Sequence, residues 1–341
     1  MKTSDFDYIL PPEYIAQTPA EPRDHSKLLV LSKKDGTIEH KHFYDLPDYL
    51  SEGDVLVFNE SRVIPARLMG RKSGSGGKVE ILLLHPKGDG LWETLVKPGQ
   101  RVREGTVIEI GTGDLSVTAE VMERGQGGIR TIRFSDESKL DKLGIVPLPP
   151  YIHTSINDPE RYQTVYARVK GSVAAPTAGL HFTPELLSKI QVKGVELKFV
   201  TLHVGMGSFK PVKVDDPAQH LMHKEYGEVS NEVADRINKA KADGRRIINV
   251  GTTSVRLVET AAKQNANGKL SAYADWTGHF ILPGYDFAVP DALVTNFHLP
   301  KSTLLMLVAA FAGTKNIRVA YSQAIEHNYR FYSFGDAMLI I

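Results

Sequence analysis

The chain has 341 residues, 42% hydrophobic and 24% charged, and its 41 Lys and Arg nearly balance 40 Asp and Glu, for a net charge of +1. That length and composition fit a globular protein with one large domain and a smaller one, and the charge balance argues against a basic nucleic-acid coat protein, though not against a local basic face. With no cysteine, disulfides, zinc-cysteine sites and thiolate nucleophiles are excluded, so catalysis must use oxygen, nitrogen or a carboxylate.

The opening MKTSDFDYIL lacks the basic-then-apolar layout of a signal peptide, and the longest apolar stretch, LLMLVAAFAG, is much shorter than a membrane span. The expectation is a soluble, cytoplasmic protein. The first sixty or so residues hold the apolar strand DVLVFN but no complete fold, so they are grouped with the α/β part downstream. From about Ile64 to Phe134 the pattern changes to short alternating strands: IPARLMGRK, KVEILLLH, LWETLVK, TVIEIG, LSVTAEVM and GIRTIRF. Each is bounded by Gly, Asp or Pro, which predicts a small antiparallel barrel or sandwich. The edges NESRVIP and LGIVPLPPYI read as linkers. The expected organisation is an α/β catalytic domain over 1–63 and 147–341, with an antiparallel β-barrel domain inserted over 64–146.

Farther along, TPELLSKIQVKG carries a Thr N-cap, Pro at the first helical position and a Gly stop, and it runs into the strand pattern VELKFVTLHVG. The rhythm repeats in SNEVADRINKAKADG with RRIINVG, then in TTSVRLVETAAK. Alternating helices and strands predict a parallel or mixed sheet.

Several loops gather Gly, hydroxyl, His and aromatic residues at strand ends: APTAGLHFT, LHVGMGSF, HLMHKE, VGTTSVR and TNFHLPKST. In α/β folds the crevice outside the carboxyl ends of the strands is where ligands bind. INVGTTSVR is a strand, a small turn and a helix opening, so its free N–H groups with Thr252, Thr253 and Ser254 suit an anion, and Arg256 adds a charge. A capped helix with a surface arginine fits the same residues. HLMHKE sets His220, His223 and Glu225 close together, which fits a metal site, an acid-base pair or a polar network, but it lacks the zincin spacing. His181, His203 and His298 sit singly in Gly- or Pro-bearing loops, where a packed histidine is the ordinary outcome. Together they make a proton-transfer site credible. Phe182, Phe209, Phe297 and Tyr285 are either core rings or faces for a base or cation.

These stretches, with FDYILPPEYIAQTPAEPRDHSKLLVL, NESRVIPARL and YRFYSFGDAMLI, resemble the S-adenosylmethionine:tRNA ribosyltransferase-isomerases of queuosine biosynthesis from Asp5 to the C-terminus. Ser208 stands where that family usually has Thr, and Gly278–His279 replaces an acidic and an aliphatic residue. The resemblance implies an α/β fold with an inserted β-barrel. It also implies transfer and isomerisation of the ribosyl part of S-adenosylmethionine onto 7-aminomethyl-7-deazaguanine at the tRNA wobble position, giving epoxyqueuosine-tRNA, adenine and methionine. No metal or redox cofactor and no membrane are expected, and S-adenosylmethionine is a substrate. On that chemistry His203 and His298, with His181 nearby, are the expected acid and base. Thr252, Thr253, Ser254, Arg256, Phe182, Phe209 and Glu225 are expected to bind S-adenosylmethionine, and Arg67, Arg71, Lys72 and Lys78 to meet tRNA. The competing readings are a metal-dependent hydrolase built on His220, His223 and Glu225, or a non-catalytic RNA-binding protein.

Overall fold

The structure is a computed structural model that describes residues 1–205 and 211–341. Its contacts divide the chain into two units: Met1–Arg62, Pro149–Val169 and Ala175–Ile341 form one, and Val63–Leu148 with Lys170–Ala174 form the other.

The first unit is built on a nine-stranded sheet. From one edge to the other the strands are Tyr273–Thr277, Glu225–Val229, Glu196–Leu202, Val55–Asn59, Ile247–Val250, Ala292–Asn296, Ala337–Ile340, Lys27–Leu31 and Ile38–His42. The four from Glu196–Leu202 to Ala292–Asn296 run parallel, and Ala337–Ile340 reverses against them while pairing parallel with Lys27–Leu31. Because side chains on a strand alternate between faces, a strand buried on both sides must be apolar throughout. KLLVL shows this: Leu29 and Leu31 enter one core cluster and Leu28 and Val30 another. In VLVFN, Leu56 and Phe58 likewise pack on one side and Val55 and Val57 on the other.

The helices start where local chemistry directs. Thr183 Oγ1 accepts from Leu186 N at 3.1 Å to open Pro184–Val192, and Ser230 Oγ accepts from Val233 N at 3.2 Å to open Asn231–Ala242. The apolar stretch Thr303–Ala312 is a core helix opened by Ser302, and no single helix among the described residues is long and apolar enough to cross a membrane.

The second unit is a closed antiparallel barrel of six strands: Arg67–Lys72, Lys78–Gly88, Leu91–Lys97, Val107–Thr112, Leu115–Arg124 and Ile129–Phe134. They fall on the six alternating segments of the sequence. In LSVTAEVMER the buried residues are Val117, Ala119 and Val121, and period-2 alternation of this kind fills a barrel interior. Lys170–Ala174, the start of the GSVAAPTAGLHFT loop, belongs to this unit, with Ile64 N donating to Ser172 O at 2.9 Å.

Candidate active site

The first unit carries a cleft of about 610 Å³, counting the solvent at its mouth, lined by residues 175–178, 251–253 and 295–299 with Tyr151, Val204, Ser302, Leu304, Tyr332 and Ser333. Residues 251–253 follow the strand Ile247–Val250, and residues 296–299 close and follow the parallel strand Ala292–Asn296, so the cleft lies at their carboxyl ends.

One wall is the start of the helix Thr252–Lys263. Its N-cap is Gly251 at φ 89, a left-handed conformation that side chains disfavour, and no side chain caps the helix. The first-turn N–H groups thus keep their capacity for an anion. Thr253 Oγ1 is buried with no hydrogen-bond partner among the described residues, and Thr252 also lines the cleft. Ser254 does not join them, because its hydroxyl donates to Val250 O and Gly251 O at 2.9 and 2.8 Å.

His298 follows the end of the neighbouring parallel strand, Ala292–Asn296. Its Nε2 lies 2.7 Å from Thr295 Oγ1, and that hydroxyl contacts Asn296 O at 3.3 Å. If the hydroxyl donates to Asn296 O, its oxygen accepts from Nε2–H and the ring's lone pair is on Nδ1, which has no bond to a described residue. The loop is pinned on both sides, since His298 N donates to Tyr321 Oη at 2.9 Å and Tyr8 Oη donates to His298 O at 2.5 Å. Burial pushes the ring's pKa down to about 3.

His181 reaches the cleft through Asn296, a residue the sequence reading passed over. Thr177 Oγ1 donates to Asn296 Oδ1 at 3.0 Å, Asn296 Nδ2 donates to His181 Nε2 at 3.1 Å, and His181 Nδ1 donates to Ser26 Oγ at 2.7 Å. The ring is stacked on Phe43, and burial, followed by the nearby Arg330 and Arg23 charges, pushes its pKa down to about 3. It is a neutral, oriented ring. The adjacency of Asn296 to His298 in TNFH was the one available signal. Tyr332 also lines the cleft and holds φ 70, a strained conformation for a tyrosine.

Other expected site residues are placed elsewhere. His203 does not line the cleft, although Val204 does. Its ring is half-buried against Tyr226, its Nδ1 has no partner among the described residues, and burial lowers its pKa. Phe182 is fully buried, with its ring edge-on to Phe43 and Phe58, and belongs to the core. Phe209 lies outside the described residues, as does Ser208.

Arg256 and Glu225 are taken up by each other. They form an ion pair at 2.7 Å, and both side chains are almost fully buried. Glu225 Oε1 also accepts from Gly205 N at 2.8 Å, and Arg256 Nε donates to His279 O at 3.2 Å. The carboxylate that Arg256 Nη1 binds belongs to the chain itself, on a strand that only the fold brings near, while Arg256 Nη2 is buried without a partner among the described residues. At the Gly278–His279 departure the contact to Arg256 comes from the His279 backbone carbonyl. The metal reading of HLMHKE is not favoured: Glu225 is buried on Arg256, His223 is exposed, and among the described residues no three His, Asp or Glu gather as metal ligands.

On the barrel, Arg67 pairs with Glu80 at 3.3 Å, Lys72 Nζ donates to Arg101 O, and the exposed Arg71 stands in register with Lys78 on one neighbour and Glu109 on the other. Arg71 and Lys78 are the exposed pair among these four.

A pH dependence follows from the buried rings. His181 and His298 are held near a pKa of 3 and His279 near 4, the last by burial, then Lys263 and Arg256. In the unfolded chain each titrates near the ordinary value of about 6.5. Between these limits the unfolded state binds more protons, so stability is complete above about pH 6.5 and falls as pH drops below it. The expected loss is on the order of 2 kcal/mol at pH 5 for each of the two deepest rings. A thermal midpoint constant from pH 7.5 to 5 would contradict it.

Comparison with known proteins gives one consistent result. A family profile described as "Queuosine biosynthesis protein" matches residues 3–340. The chain is 56% identical over 343 residues to an S-adenosylmethionine:tRNA ribosyltransferase-isomerase of Dehalococcoides mccartyi strain CBDB1, with 100% of each chain covered. It is 54% identical over 344 residues to the protein of that name from Clostridioides difficile strain 630, again with 100% of each covered. The crystal structure of an S-adenosylmethionine tRNA ribosyltransferase from Thermotoga maritima is 42% identical, superposes with a TM-score of 0.59, and covers 99% of this chain and 100% of that one.

Proposed function

The chain belongs to the queuosine biosynthesis protein family and has the S-adenosylmethionine:tRNA ribosyltransferase-isomerase activity of its relatives; from that premise we propose that the aminomethyl group of a 7-deazaguanine in the tRNA wobble position receives the ribosyl part. Adenine and methionine leave, and the ribosyl part becomes an epoxycyclopentanediol. The reaction takes place in the cytoplasm, without a metal or redox cofactor.

The observation that carries the assignment of the cleft is the pairing of an uncapped helix start, bearing the Thr253 hydroxyl that has no partner among the described residues, with a neutral imidazole after the neighbouring strand end. The methionine carboxylate sits on the Thr252–Thr253 N–H groups and the Thr253 hydroxyl, an anion at a helix N-terminus. His298 then faces the carbon next to the sulfonium, whose proton the positive sulfur acidifies. His181, held by Asn296, orients that wall as a neutral ring. Arg71 and Lys78 contribute to the tRNA surface of the barrel.

The test is adenine release from S-adenosylmethionine with precursor tRNA, with tRNA lacking the deazaguanine, and with no tRNA. Release only with the precursor is the expected result. No release in any arm would leave an RNA-binding protein. Thr253→Val, which keeps the shape and removes the hydroxyl, is expected to weaken S-adenosylmethionine binding by about 1.5 to 3 kcal/mol, the worth of a hydrogen bond to a charged group. An unchanged KM would remove Thr253 from the carboxylate site.

A further inference from the structure

At one end of the barrel, the turns KPGQRVR (97–103) and RGQGG (124–128) border an open cleft of about 1260 Å³, counting the solvent in its mouth. Its lining includes Lys97, Arg124 and Arg130, the amide side chains of Gln100 and Gln126, and glycine backbone. Among the described residues that line it there is no Asp or Glu and no aromatic ring.

Arg130 is the floor. It is 1% exposed, and its guanidinium donates to Val102 O at 2.9 Å, Ile129 O at 2.6 Å, Gly125 O at 3.4 Å and Gly99 O. All four acceptors are backbone carbonyls. They solvate the charge without neutralising it, and they tie the two turns to one another. Above it Lys97, Arg101 and Arg124 are exposed and make no ion pair among the described residues. Lys72 joins the same rim by donating to Arg101 O, and Glu104 accepts from the Arg124 backbone N–H at 3.2 Å. Gly127 and Gly128 hold φ 60 and 93, and around Gly127 there is open space where a side chain would stand, so a ligand can approach the backbone closely.

We propose that this end of the barrel binds the phosphate backbone of the tRNA. The proposal rests on the tRNA-modifying reading above. Apart from Leu95 and Val96 the lining is cations, amides and glycine backbone, which suits a ligand whose oxygens only accept, and three lining cations without a carboxylate favour a polyanion. The lack of an aromatic ring removes the usual platform for a base, so contact is to backbone and independent of sequence. A protein partner would need aromatic or clustered apolar anchors, and a membrane surface an exposed apolar face; the apolar side chains of this lining are the half-buried Leu95 and the buried Val96, which supply neither.

The experiment measures tRNA dissociation constants across a salt series for the full-length wild type, for K97Q/R124Q, and for K189Q/K239Q, which removes equal charge from exposed positions on the other unit. Arg130 is left alone because it holds the turns. K97Q/R124Q is expected to bind tRNA at least about tenfold more weakly near 0.1 M salt, with the log–log salt slope shallower by about 1.4 to 1.8, two phosphates' worth. Its thermal midpoint should match wild type, and K189Q/K239Q should bind as wild type does. Wild-type affinity and slope in K97Q/R124Q would overturn the proposal, as would an equal loss in K189Q/K239Q. Adenine release by the wild type is scored separately, so failure of the activity is distinguished from failure of this surface.

Discussion

Replacing His298 with Gln is expected to lower kcat for adenine release by about 10²- to 10⁴-fold, the range that a positioned general base contributes. Gln keeps the reach to Thr295 Oγ1, so the loop stays held by Tyr321 and Tyr8, but an amide cannot take up a proton at neutral pH. A ring pushed down to about 3 by burial looks like a poor base. That value reflects bringing a new positive charge into a dry cleft from bulk water. With S-adenosylmethionine bound the positive charge is already there, and proton transfer from the carbon beside the sulfonium moves it onto the imidazole without adding to it. The cost of desolvating the charge therefore largely cancels, and kcat should show no loss between about pH 5.5 and 8 from protonation of this ring. The measurement is single-turnover adenine release together with deuterium wash-in at the ribosyl methylene. If His298→Gln stays within about threefold of wild type in both, the base is another group, and His203 is the first to examine.

Removing one partner of the Glu225–Arg256 pair is expected to be the most destabilising of the changes considered. Glu225→Ala leaves a guanidinium that is 2% exposed without its carboxylate, and breaking a buried pair in this way costs about 3 to 5 kcal/mol. The Gly205 N–H also loses its acceptor. Replacing both partners with apolar groups of similar size removes the stranded charge, so E225M/R256M should recover most of the loss. Urea denaturation of the single and double variants tests this. A cost below about 1 kcal/mol for Glu225→Ala would mean that water or another group reaches the arginine. The double variant also tests the expected contact of this pair with S-adenosylmethionine: if it folds but binds S-adenosylmethionine much more weakly than wild type, the pair contacts the substrate.

Much of the fold was legible because its signals are local. Barrel strands announce themselves by alternation over a few residues and by the turns between them, and helices by a hydroxyl that bonds an N–H three residues on, as Thr183 does for Leu186. The open helix start at Thr252 and Thr253 was legible for the same reason: strand, glycine and helix are consecutive in the chain. The Ser254 hydroxyl, one residue later, differs, since a hydroxyl three residues along a helix bonds back to the preceding turn as readily as outward.

What the sequence by itself determined is therefore the six short strands of the inserted antiparallel unit, several helices and strands of the α/β part, and the loops that carry the chemistry; the strands Glu225–Val229 and Ala337–Ile340 were not among them. Which side chains remain available to a ligand was decided only by tertiary structure. Arg256 is claimed by Glu225 from 31 residues away, His181 by Ser26 from 155 and Asn296 from 115, and the C-terminal strand pairs with Lys27–Leu31 across some three hundred residues. Burial and hydrogen bonding depend on neighbours that chain folding brings together, and the cost of leaving a buried polar group unpaired is paid or avoided at that distance. A histidine, an arginine or a phenylalanine in a glycine-rich loop looks the same in sequence whether its partner is a substrate or another residue of the chain.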